Sequence, residues 1–227
     1  MLAIRKSCPS IIGILRNEPE RLGAAFAERC AAHNEAALRH LLATPVDYVV
    51  LTSAYEWYLT GQGEGGAPIV VDAEDASAQP QQFIPSRLDE TVDRLTDAGM
   101  SVILITPHPQ IKNHLALRKA LHRDEPLAPE IAVETAAEAR ALLLGNLMPS
   151  GSEERLQEIN GMTLFCERGL CQPFDSQGRL LLHDGSHAST VLAQTIAERV
   201  AALTRPLSLD QSPVPVSGPS NMPLEVR

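Results

Sequence analysis

An α/β fold with a mostly parallel, doubly wound sheet is predicted by two features of the sequence. Short β-branched runs alternate with stretches of helical period, and turn-forming or polar residues stand at the ends of those runs. "VDYVVLTSA" (Val46 to Ala54) and "SVILIT" (Ser101 to Thr106) are the clearest runs, apolar at most positions, as strands buried on both faces are. Strand, helix, strand, helix, strand is the order that right-handed crossovers produce. At 227 residues, with 44% hydrophobic and 4% aromatic content, the chain suits one domain with a real core rather than a disordered segment or a coiled coil. That domain is expected over residues 1–205.

The elements follow in order. Leu2 to Ile4 and Ile11 to Leu15 are apolar runs around "KSCPS", compatible with a strand ending in a loop. From Glu18 to Ala43, Leu22, Phe26, Cys30, Leu38, Leu41 and Leu42 recur at helical spacing after "NEP", whose proline suits a first turn, and this helix is expected to be the longest. Gly61 to Pro85 is rich in Gly, Ala, Gln and Pro and reads as a long loop. A helix is predicted from Ser86 to Ala98, with Ser86 and Asp89 as a capping box and Gly99 as its stop. Helices are also expected at Leu115 to Leu121, Ile131 to Leu144 and Glu153 to Ile159, and a strand at Met162 to Phe165. Val191, Leu192, Ile196, Val200 and Leu203 form the stripe of a last helix. Residues 206–227, with five prolines in "PLSLDQSPVPVSGPSNMPLEVR", read as a disordered tail.

Lys plus Arg at 19 against Asp plus Glu at 28 gives a net charge of -9, which offers no general attraction to nucleic acid or anionic lipid. No window approaches about 18 uninterrupted apolar residues, and the first residues lack the small-residue cleavage site of an export signal. Cys8 and Cys30, and Cys166 and Cys171, are close in sequence. Each pair suits a disulfide in an oxidising compartment, or small buried side chains or metal ligands in a reducing one.

"LLLHDGSHAST" (Leu180 to Thr190) places an aspartate and two histidines within five residues. Three chemistries compete there. Cys166-x4-Cys171-x11-His183-x3-His187 approaches a Cys2His2 zinc pattern, but Asp184-Gly185-Ser186 favours a turn over the helix that such histidines need. A plain turn followed by a cap from Asp184 or Ser189 is the commonest use of these residue types. The third is a catalytic pair: in Asp-x-x-His before a C-terminal helix, the aspartate takes one imidazole N–H and fixes the tautomer, leaving the other nitrogen to accept a proton from a serine.

Several segments, in this order, resemble the SGNH-type domain found at the C-terminus of bacterial membrane-bound acyltransferases that O-acetylate surface polysaccharides. "KSCPSIIG" (Lys6 to Gly13) is similar to that family's Cys-Pro segment, and "VVLTSAYEWYL" (Val49 to Leu59) to its apolar strand followed by aromatic residues. "SVILITPHPQ" (Ser101 to Gln110) resembles its strand ending in Pro-x-Pro, and Phe165 to Thr190 its paired-cysteine hairpin leading into Asp-x-x-His. The likeness spans about Leu2 to Leu203.

The resemblance implies a three-layer α/β/α fold, His187 as general base, Asp184 as its orienting carboxylate, and disulfides Cys8–Cys30 and Cys166–Cys171. It also implies an extracytoplasmic, periplasmic setting, a carbohydrate acceptor, an acyl donor, no cofactor or metal, and a transmembrane acyltransferase domain normally in the same polypeptide. The sequence departs from the family pattern in three places. No Gly-Asp-Ser-His block precedes Cys8, so the nucleophile is unassigned and the first strand that carries it is expected to be missing. Thr52, Ser53 and Ala54 stand where the wider superfamily has an oxyanion asparagine, which leaves the Gly13 N–H as the oxyanion candidate. Leu192 and Ala188 replace a usual glycine and leucine. Ser186 neighbours His187 too closely for in-line activation, Ser53 reads as the polar end of a strand, and His108 as a loop histidine. Tyr55 and Trp57 suit packing better than a sugar floor. The expected activity is acyl transfer or ester hydrolysis at carbohydrate hydroxyls, in a chain that the missing block would make inactive; a non-catalytic α/β glycan-binding or interaction module is the alternative.

Overall fold

The computed structural model describes residues 8–44, 46–63, 66–123, 125–126, 128–147, 155–167 and 170–204. The run at Leu2 to Ile4 and the tail from residue 206 lie outside them. The elements are β1 (Ile14–Arg16), α1 (Pro19–Leu22), α2 (Phe26–Ala43), β2 (Tyr48–Thr52), α3 (Tyr55–Thr60), β3 (Val70–Asp72), α4 (Pro80–Asp97) and β4 (Ser101–Ile105). They continue with β5 (Gln110–Ile111), α5 (His114–Arg123), β6 (Ile131–Ala132), α6 (Val133–Asn146), β7 (Leu156–Ile159), a 3-10 turn (Gly161–Leu164), β8 (Cys166–Glu167), β9 (Leu170–Cys171) and α7 (Thr190–Leu203).

Strands β2, β4 and β7 form a parallel sheet with β4 in the middle. Leu51 of β2 lies opposite Leu104, and Ile159 of β7 opposite Ile105. Because successive side chains of a strand point to opposite faces, β4 serves two cores at once. Val102 and Leu104 pack with Leu38 of α2, Leu88, Val92 and Leu95 of α4, and Ala139 and Leu143 of α6. Ile103 and Ile105 pack with Ile159 and with Ile196, Val200 and Leu203 of α7. These are the three layers: helices, sheet, helix. Among the described residues β2 is an edge strand, and beside it lies an apolar groove of about 360 Å³ whose walls include Leu38, Leu41, Val49 and Leu95. Among the described residues no helix is long and apolar enough to cross a membrane.

Several predicted boundaries move, each for a physical reason. The expected helix from Glu18 is broken at Gly23, whose φ of 84° is left-handed, so α2 starts at Phe26 and is no longer than α4, at 18 residues each. Gly61 to Pro85 is not all loop: β3 pairs antiparallel with β1, and α4 begins at Pro80, which lacks only an N–H that a first turn leaves unbonded. Ser86 is therefore inside a helix, and its hydroxyl donates to the Gln82 carbonyl instead of capping. Gly99, at φ 89°, does end that helix region. The described part of Glu153 to Ile159 is strand β7, because pairing along buried β4 outweighs a weak helical preference. Met162 to Phe165 is largely a 3-10 turn, begun by Asn160, whose side chain accepts from the Met162 N–H at 2.9 Å. Ile131 and Ala132 form a short strand before α6 begins.

Cys8 is bonded to Cys30 and Cys166 to Cys171, the second pair directly opposite across the β8–β9 hairpin. The sulfurs that the zinc spacing required are thus joined to each other.

Leu104 is fully buried, so Leu104→Ala is expected to lower the free energy of urea unfolding by about 2–5 kcal/mol. Leu115→Ala, at a position 72% exposed, is expected to stay within about 0.5 kcal/mol of the parent.

Candidate active site

The Asp184–His187 turn sits between two anchored segments. Upstream, Leu181 and Leu182 are buried in a core with Ile111, Leu117, Phe165 and Leu192. Downstream, Ser189 caps α7, its side chain accepting from the Leu192 N–H. Across the turn the His183 N–H donates to the His187 carbonyl at 2.7 Å and the Ser189 N–H to the Leu181 carbonyl at 2.9 Å. Neighbouring elements hold it from outside: Ile111 N–H donates to the Gly185 carbonyl at 2.9 Å, and His114 Nε2 to the His183 carbonyl at 3.1 Å. A Cβ on Gly185 would lie 2.9 Å from the Ile111 carbonyl oxygen, so glycine is needed for this approach.

Within the turn, Asp184 Oδ1 accepts from the Ser186 N–H at 3.0 Å and the His187 N–H at 2.8 Å. Its two oxygens also lie 2.9 and 2.8 Å from His187 Nδ1. Partial burial opposes ionisation, but the two backbone N–H groups and the imidazole together outweigh it and hold the Asp184 carboxyl well below the usual range. An ionised carboxylate only accepts, so Nδ1 carries a proton, and in the neutral imidazole Nε2 is the acceptor. The His187 side chain is 78% exposed, open to a substrate approaching from solvent.

The other candidates are placed elsewhere or occupied. Ser186 Oγ is directed to Asp184 Oδ1 at 3.4 Å, not to the imidazole. Ser53 Oγ accepts from the Ser10 N–H at 3.3 Å, and Tyr58 shares a hydrogen bond with the same side chain. Gly13, at φ 68°, has Ala73 and Arg87 as its neighbours, its carbonyl accepting from Ala73, rather than the Asp184–His187 turn. Tyr55 is buried and shares a hydrogen bond with Ser10 Oγ. Trp57 is 36% exposed, but the Arg16 and Arg21 guanidiniums lie 4.7 and 5.3 Å from its ring centroid.

Two residues escaped the sequence reading. Glu56 is buried on α3, with no arginine or lysine paired to it among the described residues; burial raises its carboxyl to about 7, against a hydrogen bond from Gln110. Its signal is faint in sequence, since "YEWYL" reads as an amphipathic fragment. Gly161 permits the backbone after β7 to close onto the end of β4, and a Cβ there would collide with the carbonyl oxygens of Thr106 and Pro107.

Among solved structures, the chain is similar to the periplasmic domain of the lipopolysaccharide acetyltransferase of Salmonella ser. Paratyphi A. The TM-score is 0.54 at 11% identity, over 86% of this chain and 69% of that one, a likeness of fold. No curated protein matches.

Glu56 gives a pH signature of known sign. Its unfolded carboxyl ionises near 4.5 and its folded carboxyl near 7, so stability falls as pH rises between those values. Glu56→Gln is expected to leave stability at pH 4 unchanged and to raise it at pH 8, by at most about 3 kcal/mol, measured by chemical denaturation at both pH values. Gly161→Ala is expected to destabilise by about 1–3 kcal/mol or more by the same measurement, the Thr106 and Pro107 carbonyls being unable to retreat.

With this fold and turn in place, the match of residues 1–202 to the family model described as "SGNH domain (fused to AT3 domains)" settles the classification, and the chain belongs to that family.

Proposed function

We propose that this domain takes part in O-acyl transfer to, or ester hydrolysis at, hydroxyls of a cell-surface polysaccharide outside the cytoplasm. Its transmembrane acyltransferase domain belongs, in this reading, to the same polypeptide. The observation that carries it is the Asp184–His187 pair, in which a carboxylate kept ionised by two backbone N–H groups fixes the imidazole with Nε2 free. Family membership and two disulfides support the setting.

In the proposed chemistry Nε2 takes the proton of a serine hydroxyl as that oxygen attacks the acyl carbonyl. The imidazolium, stabilised by Asp184, returns the proton to the leaving group, and the acyl serine is then attacked by a sugar hydroxyl that His187 deprotonates in turn. Among the described residues no serine hydroxyl bonds the His187 imidazole, so the serine of this scheme is not one that the described structure identifies. That observation also favours a second reading, a glycan-binding module that uses the same turn without turnover.

The test measures p-nitrophenyl acetate hydrolysis by the 227-residue chain, and acetyl transfer to glycan by the domain joined to its transmembrane partner. The expected outcome is no His187-dependent hydrolysis by the chain alone and transfer that His187→Ala lowers by about a thousandfold or more, the scale of losing a triad member. Transfer unchanged by that substitution would overturn the catalytic reading.

A further inference from the structure

His108 is a second imidazole at the same end of the sheet, and no step above uses it. It follows β4 at a position the fold fixes tightly. Thr106 N–H donates to the Ile159 carbonyl at 3.1 Å, its hydroxyl to Glu158 Oε1 at 2.7 Å, and the Gly161 N–H returns to Thr106 Oγ1 at 3.2 Å. Two residues on, the imidazole stacks on Phe165, with centroids 5.3 Å apart and 23° between the planes. Phe165 is itself buried and adjoins the Cys166–Cys171 bridge.

The ring's protonation follows from its neighbour. Nδ1 lies 3.1 Å from the Pro109 carbonyl oxygen, and a carbonyl can only accept, so Nδ1 is the protonated nitrogen. Burial first, and more weakly the charge of nearby His187, hold this histidine below its usual range, against the pull of the Pro109 and His108 carbonyls. It is therefore neutral near pH 7. Nε2 has no hydrogen-bond partner among the described residues and is not among the buried unpaired atoms, so it meets solvent as an acceptor.

Ile111, three residues after His108, donates its N–H to the Gly185 carbonyl of the His187 turn at 2.9 Å, so the two segments lie side by side, and each neutral imidazole offers the same functional group, an Nε2 lone pair. One base suffices to deprotonate one hydroxyl. A second acceptor close by matches a ligand with a second O–H, as vicinal hydroxyls of a sugar provide. We propose that His108 is a substrate-positioning residue whose Nε2 accepts a hydrogen bond from the sugar hydroxyl adjacent to the one facing His187, so that the site selects an acceptor with neighbouring free hydroxyls. This rests on the carbohydrate reading above.

Long-range 1H–15N spectra of the 15N-labelled chain at pH 7.5 report each imidazole's tautomer, and titration with methyl β-D-galactopyranoside, with cyclohexanol as a control lacking adjacent hydroxyls, reports contact. The expected result is the Nδ1–H tautomer at His108 and saturable shifts of both Nε2 resonances with the galactoside but not with cyclohexanol. His108→Phe, which keeps an aromatic ring against Phe165, is expected to weaken binding about tenfold, the scale of one lost hydrogen bond, while His187 Nε2 still responds. An Nε2–H tautomer at His108, or a galactoside that moves His187 and leaves His108 unmoved, would overturn the inference and leave the carbohydrate reading standing. If neither imidazole responds, both fall.

Discussion

The arrangement at the C-terminal end of the sheet hangs from Thr106, which is 1% exposed. Its backbone N–H continues the β4–β7 pairing by donating to Ile159, and its hydroxyl donates to Glu158. Glu158 in turn receives two hydrogen bonds of 2.6 Å from Arg140 on α6. Burial opposes ionisation of Glu158, but Arg140 and Thr106 outweigh it and keep the carboxyl below its usual range. One buried threonine thereby joins two strands, a helix and the 3-10 turn, and a half-satisfied version of such a network would be worse than an apolar one. Gly161 completes it by letting two backbones approach more closely than any side chain allows. His108, Pro109 and β5 are aimed by this junction, and β5 then holds the Gly185 carbonyl.

Buried charge elsewhere is handled by pairing. Arg87 on α4 meets Asp72 of β3 with Nε and Nη2 at 2.7 and 2.9 Å, which brings the Asp72 carboxyl down to about 2, chiefly through those hydrogen bonds. The Arg16 side chain has no solvent contact and is paired with Glu18, which also receives Arg21. Among the described residues Arg16 Nε and Nη1 have no hydrogen-bond partner, and the guanidinium lies 4.7 and 5.0 Å from the Trp57 and Tyr58 ring centroids. Aromatic faces supply part of what water would have given. Glu56 stands apart from this pattern, a buried carboxyl accepting from an amide rather than an arginine. It therefore stays protonated to higher pH than a paired acid would.

The site combines opposite exposures. Asp184 and His187 lie on a solvent-facing turn, with side chains 44% and 78% exposed, while the residues that aim them, Leu181, Leu182, His114 and Ile111, are buried. Exposure leaves Nε2 accessible. Burial of the supports keeps the turn from wandering, since a loop alone would not hold hydrogen-bond geometry to a few tenths of an ångström.

What the sequence determined by itself was local. The run at Ser101 to Thr106 is so uniformly apolar that it had to be an interior strand, and the last helix is marked by its stripe and by Ser189 at its start; Val46 to Ala54 reads the same way, but β2 lies at the edge of the described sheet with Val50 40% exposed. Asp-Gly-Ser ruled against a helix at His183 to His187, because a carboxylate two or three residues before free N–H groups closes a turn instead. Tertiary structure decided the rest. Leu156 to Ile159 is a strand only because buried β4 offers a hydrogen-bonding edge, and Val70 to Asp72 only because β1 lies beside it. His108 reads in sequence as a loop histidine; burial and, more weakly, His187 lower its pKa, while Phe165 and the Pro109 carbonyl orient its ring, and Phe165 and His187 lie more than fifty residues away in sequence. Periodicity reports which face of an element avoids water. It does not report which groups will share a hydrogen bond, and at this site those shared bonds fix Nδ1 as a proton-bearing nitrogen of each imidazole.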